Sequence, residues 1–183
     1  MDKIKLGVLV GGTSIEREVS KKSCENLLAN LDENKYDITV YHLPADGNTE
    51  WAKNIISNPP QIVLSALHGG NGENGSIQGF LHCLNIPYIG SKVLSSAICM
   101  NKAMAKTVMK ANHIQVPDHV FVMRGVDFSQ YEESIKLMGF PLIVKPNRGG
   151  SSIGVIVARN MEDIHYGIKN IMETYDDDVL IEK

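Results

Sequence analysis

The 183-residue sequence has only three cysteines, Cys24, Cys83 and Cys99, which are odd in number, far apart and without a CxxC spacing. That excludes a disulfide framework and fits a reducing cytoplasm, with the three thiols expected as small buried hydrophobes. Long apolar runs are lacking too. The charge-free stretch Asn74–Ser91 is broken by Gln78, His82, Asn85 and Pro87 and cannot span a membrane, which takes roughly 18 or more mainly apolar residues. The opening residues imitate a signal peptide only superficially, because Leu6–Val10 is shorter than an apolar core of about 7–15 residues and ends at a Gly11-Gly12 turn. Basic residues are not in excess: 18 Lys plus Arg face 21 Asp plus Glu, for a formal charge of −3. That argues against nucleic acid as a partner. No His/Cys ligand spacing, internal repeat or low-complexity tract occurs, so no metal site is expected from this sequence.

What is present is a globular composition, 43% hydrophobic and 21% charged. The length allows one domain or two small ones, and a chain of this size can bury about 70% of its unfolded surface. The first part alternates strand and helix signals. Ile4–Val10, Tyr36–Leu43, Gln61–Leu67 and a short Ile86–Ile89 are expected as strands, and Glu16–Leu31, Glu50–Ile56 and Ser76–Leu84 as helices. Short connections between them imply βαβ units and a parallel sheet, whose ligands sit at the carboxyl ends of the strands. Those ends are Gly11–Ser14 and His68–Gly75.

The pattern changes near Gly90–Ser95. Beyond it, Ser91–Ile98, Lys102–Asn112, Tyr131–Met138 and Glu162–Tyr175 are expected as helices. His119–Met123, Phe140–Lys145, Ile153–Ala158 and Val179–Ile181 are expected as strands. Two of these strands flank a Gly/Ser turn, as in an antiparallel hairpin, so this half is expected to be α+β. The division is placed at residues 1–93 and 94–183.

Gly70-Asn71-Gly72-Glu73-Asn74-Gly75 formally matches GxGxxG, but no Asp or Glu occurs between Asn74 and Pro117 to hold a ribose, so a dinucleotide site is rejected. The glycines still permit close approach of a ligand, with His68 at the strand end. The same acid-free segment carries Lys92, Lys102, Lys106 and Lys110. Lys106 and Lys110 are expected on a solvated helix face. Lys102, just after the helix start at Asn101, is badly placed against the helix dipole and is better explained by an anionic ligand. Thr13-Ser14-Ile15-Glu16 scans as a capping box, which competes with a substrate-binding role for Glu16. The run Val144-Lys145-Pro146-Asn147-Arg148-Gly149-Gly150-Ser151-Ser152-Ile153-Gly154 ends an apolar strand on a lysine and continues as a loop able to close backbone N–H groups over phosphate. It is not a Walker A. Asp176-Asp177-Asp178 is expected as a solvated turn.

In order, Gly11-Gly12-Thr13-Ser14, Glu16-Arg17-Glu18-Val19-Ser20, Ala66-Leu67-His68-Gly69, Gly72-Glu73-Asn74-Gly75, Met100-Asn101-Lys102, Lys145-Pro146, Gly150-Ser151-Ser152-Ile153-Gly154 and Val179-Leu180-Ile181-Glu182-Lys183 resemble the D-alanine–D-alanine ligase family of peptidoglycan synthesis, which are ATP-grasp enzymes. The resemblance covers the whole chain. Met100-Asn101-Lys102 departs from the commoner Met-Asp-Lys, and Gly149 replaces a residue that is often acidic.

The resemblance implies an α/β chain with a Rossmann-like, pre-ATP-grasp parallel-sheet domain followed by a small α+β central ATP-grasp lobe, without the second lobe. It implies that Glu16 and Ser151 act in one hydrogen-bonded catalytic set, with Glu16 on the ammonium of the first D-alanine and His68 near its carboxylate. Lys102 and Lys145 would contact ATP phosphates, Gly150, Ser151 and Ser152 would lie in the loop covering them, and Glu182 and Lys183 would line the adenine pocket. The family's reaction is ligation of two D-alanines by way of an acyl phosphate. Its Mg²⁺ ligands belong to the lobe not represented here, so this chain alone is expected to be inactive and to bind ATP weakly or undetectably in calorimetry. Homodimers are common in the family. A D-lactate or D-serine ligase, another carboxylate–amine ligase, or a short non-catalytic binding protein are the alternatives.

Overall fold

A computed structural model describes residues 2–183. The chain forms two compact units, residues 1–97 and 98–183. The first contains strand β1 (Ile4–Gly11), helix α1 (Arg17–Asn30), β2 (Tyr36–Leu43), α2 (Glu50–Ser57), β3 (Ile62–Ser65), α3 (Gly70–Glu73) and α4 (Ser76–Cys83). Its sheet has the order β2-β1-β3, with both pairings parallel. β1 lies in the middle and is covered on both faces, which is why it is a continuous apolar run rather than an alternating one. Leu6, Val8 and Val10 pack with Cys24, Leu27 and Leu28 of α1, while Leu9 on the other face packs with Ile55, Ile77 and Leu81. Burying each such side chain contributes about 1.5–3 kcal/mol, so the central strand and its two layers form the anchor of this unit.

Helix α5 (Val93–Met100) contains the division between the units. The second unit continues with α6 (Lys102–Ala111), β4 (His119–Val122), a 3₁₀ turn at Phe128–Tyr131, α7 (Glu132–Met138), β5 (Leu142–Pro146), β6 (Ile156–Ala158), α8 (Met161–Tyr175) and β7 (Val179–Glu182). Its sheet is antiparallel throughout, in the order β4-β7-β5-β6. One face carries Val122, Leu142, Val144, Ala158, Val179 and Ile181 against Ile164, Ile168 and Ile171 of α8. Gly167 allows the helix to approach, since a Cβ there would lie 2.9 Å from Val144 Cγ1. The opposite face, one residue out of phase, bears Ile143 and Lys145 on β5, Leu180 and Glu182 on β7, and His119 on β4. The fold is therefore α/β, with a parallel three-stranded sheet in one unit and a separate antiparallel sheet in the other.

Several expectations need correction. Ile86–Ile89 is not a strand; it makes a single parallel bridge, Val63 to Tyr88, because Pro87 has no N–H to continue a ladder. The hairpin strand expected from Ile153 begins only at Ile156, since Ser151, Ser152 and Gly154 take positive φ angles and turn the chain. The Gly70–Glu73 segment, for which the sequence pattern predicts no element, forms a helical turn, α3. Cys24 is buried, but Cys83 and Cys99 are exposed, and all three are free thiols.

Gly11 illustrates how sequence sets the end of β1. Its φ is +95°, and a Cβ would stand 2.5 Å from the carbonyl oxygen of Leu43. Gly11→Ala should therefore lower stability by about 3 kcal/mol, measured by urea unfolding, whereas Gly79→Ala, with open space around its Cβ position, should not. Equal effects would sink this account of the strand end.

Candidate functional site

In the first unit, the carboxyl ends of β1 and β3 face each other across two glycine turns. Gly11 N–H donates to Ser20 Oγ at 2.8 Å, so the buried Ser20 ties the strand end to α1. Ser14 starts that helix: its hydroxyl accepts from Glu16 N–H at 3.1 Å and its carbonyl from Arg17 N–H at 3.1 Å. The capping box fails as expected from sequence, because Thr13 makes no cap and Glu16 itself is the flanking residue, with no side-chain cap bond. The Glu16 carboxylate and the Ser14 hydroxyl lie directly against Gly69, whose φ is +65° and where any Cβ would collide with both. Glycine is required there to let the two polar groups reach the strand end.

His68 stands beside them. Its Nε2 is 2.8 Å from Ser23 Oγ, and its Nδ1 is 3.8 Å from a Glu73 carboxylate oxygen. The ring is thus oriented from α1 on one side and α3 on the other. Gly12, Ser14, His68 and Gly69 border a cavity of about 140 Å³ whose inner wall is apolar, with Leu43, Trp51, Leu67 and Ile77. A small amphipathic molecule with one charged end suits such a space.

In the second unit, charge collects on the other sheet face, against α6. Lys145 and Glu182, on adjacent strands, form an ion pair through Glu182 Oε1. Glu182 Oε2 lies 2.8 Å from Lys106 Nζ of α6, and the Lys106 and Glu182 side chains are only 11% and 12% exposed. Lys106 was expected on a solvated face; the structure places it in this cluster, because a spacing of four residues puts it on the same helix face as Lys102. Lys102 Nζ donates to the carbonyls of Gly149 and, at 3.3 Å, of Asn147. Burial pushes the Lys102 ammonium below its ordinary range, and the charge of Lys145 pushes it the same way. For Glu182 burial raises the carboxyl, but the ammonium groups of Lys106 and Lys145 outweigh it and hold it below the usual carboxylate range.

Asn147 fixes the start of the Gly/Ser loop. It is fully buried, accepts from Ala103 N–H through its side-chain oxygen at 2.9 Å, and accepts from Lys102 N–H through its carbonyl at 3.1 Å. Its amide nitrogen has no hydrogen-bond partner. Asn101 caps α6 by accepting from Met104 N–H at 3.0 Å. Ser151 and Ser152, with φ of +50° and +59°, form the turn after Gly149 and Gly150. Of the aspartate turn expected to be solvated, Asp176 is exposed but Asp177 and Asp178 are not. Asp177 is buried and accepts from Arg148 N–H at 2.6 Å, and Asp178 accepts from the Arg148 guanidinium at 3.0 Å, so both pin the base of the loop. Lys183 points elsewhere, its ammonium capping the end of α7 at the carbonyls of Met138 (3.0 Å) and Gly139 (2.9 Å).

Of the residues singled out by sequence, the structure thus groups Lys102, Lys145 and Glu182 in one unit, and Glu16 and His68 with Ser14 in the other. Lys106, Asn147 and Ser23 were missed. Their partners lie far along the chain, and only the four-residue spacing from Lys102 signalled Lys106.

The surplus of ammonium groups, the spare amide donor of Asn147 and the turn of Ser151–Ser152 suit a polyphosphate. Among the described residues no three His, Cys, Asp or Glu side chains gather in a metal-binding group. Also among those residues, no helix is long and apolar enough to cross a membrane.

An α/β chain with a polar, glycine-bordered crevice in one unit and a lysine-rich sheet face in the other belongs to the class of ligand-binding two-unit proteins. Comparison with known proteins narrows the class. Residues 49–91 match the family described as D-ala D-ala ligase N-terminus, and residues 108–183 the one described as D-ala D-ala ligase C-terminus. The D-alanine–D-alanine ligase of Bacillus anthracis is 40% identical over 181 residues, covering 98% of this chain and 57% of the relative. The crystal structure of the Bacillus anthracis ligase complexed with ATP superposes with a TM-score of 0.84 at 37% identity, over 98% of this chain and 58% of that one. The VanG D-Ala:D-Ser ligase of Enterococcus faecalis gives 0.84 at 27% identity, over 100% and 63%. The chain belongs to the D-alanine–D-alanine ligase family and spans less than two thirds of the length of these relatives.

The ion-pair cluster predicts a pH dependence. Because the folded-state pKa of Glu182 lies below its unfolded value, its contribution is fully present above the ordinary carboxylate range and is lost as pH falls through the folded value. Urea midpoints measured from pH 7 down to pH 3 should fall less steeply in Glu182→Gln than in the unsubstituted chain. Parallel profiles would contradict the assignment.

Proposed function

We propose that this chain supplies the substrate-binding domain, residues 1–93, and the central ATP-grasp lobe, residues 94–183, of an ATP-dependent D-alanine–D-alanine ligase acting in the cytoplasm in peptidoglycan precursor synthesis. The observation that carries the reading is the cluster of Lys102 of α6 with Lys145 and Glu182 of the sheet, next to the Gly149–Ser152 turn. A relative of the same family has been crystallised with ATP, which supports ATP as the cosubstrate. In this reading Lys145 and Lys102 hold phosphate oxygens as point charges, and the loop amides around Gly150, Ser151 and Ser152 close over them. Glu182 and the backbone of Lys183, whose ammonium caps α7, border the base.

In the first unit the Glu16 carboxylate receives the ammonium of the first D-alanine, and in the second Ser151 is a further catalytic residue. His68, held by Ser23, faces the substrate carboxylate. ATP supplies the phosphoryl group that makes the carboxylate reactive towards the second amine; the protein's part is to position the reactants and balance charge. Mg²⁺ belongs to the family's chemistry, and no step is assigned here to a metal held by these residues. A D-Ala:D-Ser ligase shares the fold at 27% identity, which keeps D-serine as an alternative second substrate. A homodimer is part of the same proposal.

Titration of millimolar ATP into ¹⁵N-labelled chain, followed by NMR, tests the nucleotide half. Shifts should centre on Lys102, Lys145, the Gly149–Ser152 turn and Glu182, and their absence there would reject the reading. In an active ligase carrying this sequence, Lys145→Ala and Lys102→Ala should each raise the KM for ATP by about tenfold or more, a charged contact being worth about 1.5–3 kcal/mol. Glu16→Gln should raise the KM for the first D-alanine by a similar factor with the ATP value unchanged; equal loss for both ligands would leave Glu16 only a helix-start role.

A further inference from the structure

Helix α6 has no buried residue of its own, so apolar packing does not fix its rotation over the sheet. Two sets of polar contacts do. At its first turn Lys102 N–H and Ala103 N–H both donate to Asn147. One turn later Lys106 reaches Glu182, and both side chains are nearly as buried as a core residue. Glu182 is thus shared: one oxygen faces Lys145, the other Lys106, and among the described residues no other charged group is paired with it. His119 lies opposite on β4 in the register, but its ring is turned to the carbonyl of Pro117 at 3.0 Å.

This arrangement has a consequence for the nucleotide reading above, on which it rests. If Lys145 takes a phosphate oxygen, its bond to Glu182 is weakened, and a half-buried carboxylate without a partner is costly. Lys106 removes that cost. We propose that Lys106 is a positioning residue for the nucleotide end of the site: it holds Glu182 in place so that Lys145 can exchange the carboxylate for phosphate, and it fixes the rotation of α6 that aims Lys102. Lys106 touches no phosphate in this account and acts through Glu182 and Lys102.

Two variants separate this role from simple packing. Lys106→Met keeps the length of the side chain and loses the charge, and Lys106→Arg keeps the charge. In the ligand-free chain, the ¹³C-detected titration of the Glu182 carboxyl should move upward in Lys106→Met and stay close to its original midpoint in Lys106→Arg. In the ATP titration, Lys106→Met should bind about tenfold more weakly and Lys106→Arg within about twofold of the unsubstituted chain. Urea unfolding of each variant establishes that it is folded. Unchanged ATP binding in folded Lys106→Met, or an unmoved Glu182 titration, overturns the inference while leaving the proposed function standing. Equal weakening by Met and Arg also overturns it, since that is the mark of packing rather than charge. Failure of the unsubstituted chain to respond to millimolar ATP instead rejects the nucleotide reading, and the exchange at Lys145 with it.

Discussion

Two lysine ammoniums share one carboxylate in the second unit while a third has none, and much of that unit's architecture follows from how the surplus charge is held. Glu182 can bridge Lys106 and Lys145 only because it sits at the end of β7, between β5 and the helix. Lys102 has no carboxylate of its own and instead takes the carbonyl oxygens of Asn147 and Gly149. Those two carbonyls belong to the start of the Gly/Ser loop, so the position of the loop is coupled to the position of a cation. Like charges at this density repel in a partly desolvated setting, which is why burial and Lys145 both act to lower the Lys102 pKa. An arrangement of this kind is favourable when further negative charge is added and only tolerated without it.

The first unit solves a different problem. Its central strand is apolar on both faces, so polar chemistry is available only where the strand ends. There, positive-φ glycines at 11, 12 and 69 turn the backbone sharply, and Gly69 leaves room for the side chains of Ser14 and Glu16. The buried Ser20 hydroxyl then absorbs a strand-end N–H that would otherwise be unpaired. Hydrophobic layering builds the platform, and the missing Cβ of Gly69 admits the polar groups to it.

Most of the element order was legible in the sequence because the periodicities are strong. β2 falls at Tyr36–Leu43 and α8 within a residue of its expected start, since a half-buried strand and an amphipathic helix leave clean signatures. The errors fall where one residue decides against its neighbours: Pro87 cuts a strand to a single bridge, and Ser151 and Ser152 delay β6 by their backbone conformation. In the sites, Lys102 and Lys145 could be singled out because each follows a local rule, a cation at a helix start and a lysine at a strand end. Lys106 and Asp177 could not. A charged residue at helical spacing resembles a solvated face until its partner is known, and Glu182 and Arg148 come from other elements. Burial of paired charge is a tertiary property, without a local pattern to announce it.

The placement of unsatisfied polar atoms draws the two units together in purpose. Among the described residues, the buried side-chain atoms that make no hydrogen bond are Arg17 Nε, Gln78 Oε1, Asn147 Nδ2 and Glu182 Oε2. None lies in the apolar layers. Arg17 follows Glu16 at the head of α1, and Gln78 uses its other amide atom to hold the Gly72 carbonyl at 2.9 Å. Asn147 and Glu182 belong to the lysine-rich face, where Glu182 Oε2 has an ion-pair partner but no aligned hydrogen bond. Folded proteins keep such atoms rare because each costs about 1–3 kcal/mol. At Asn147 the unpaired group is a donor on the lysine-rich face, so an incoming acceptor such as a phosphate oxygen would complete its bond and recover that cost.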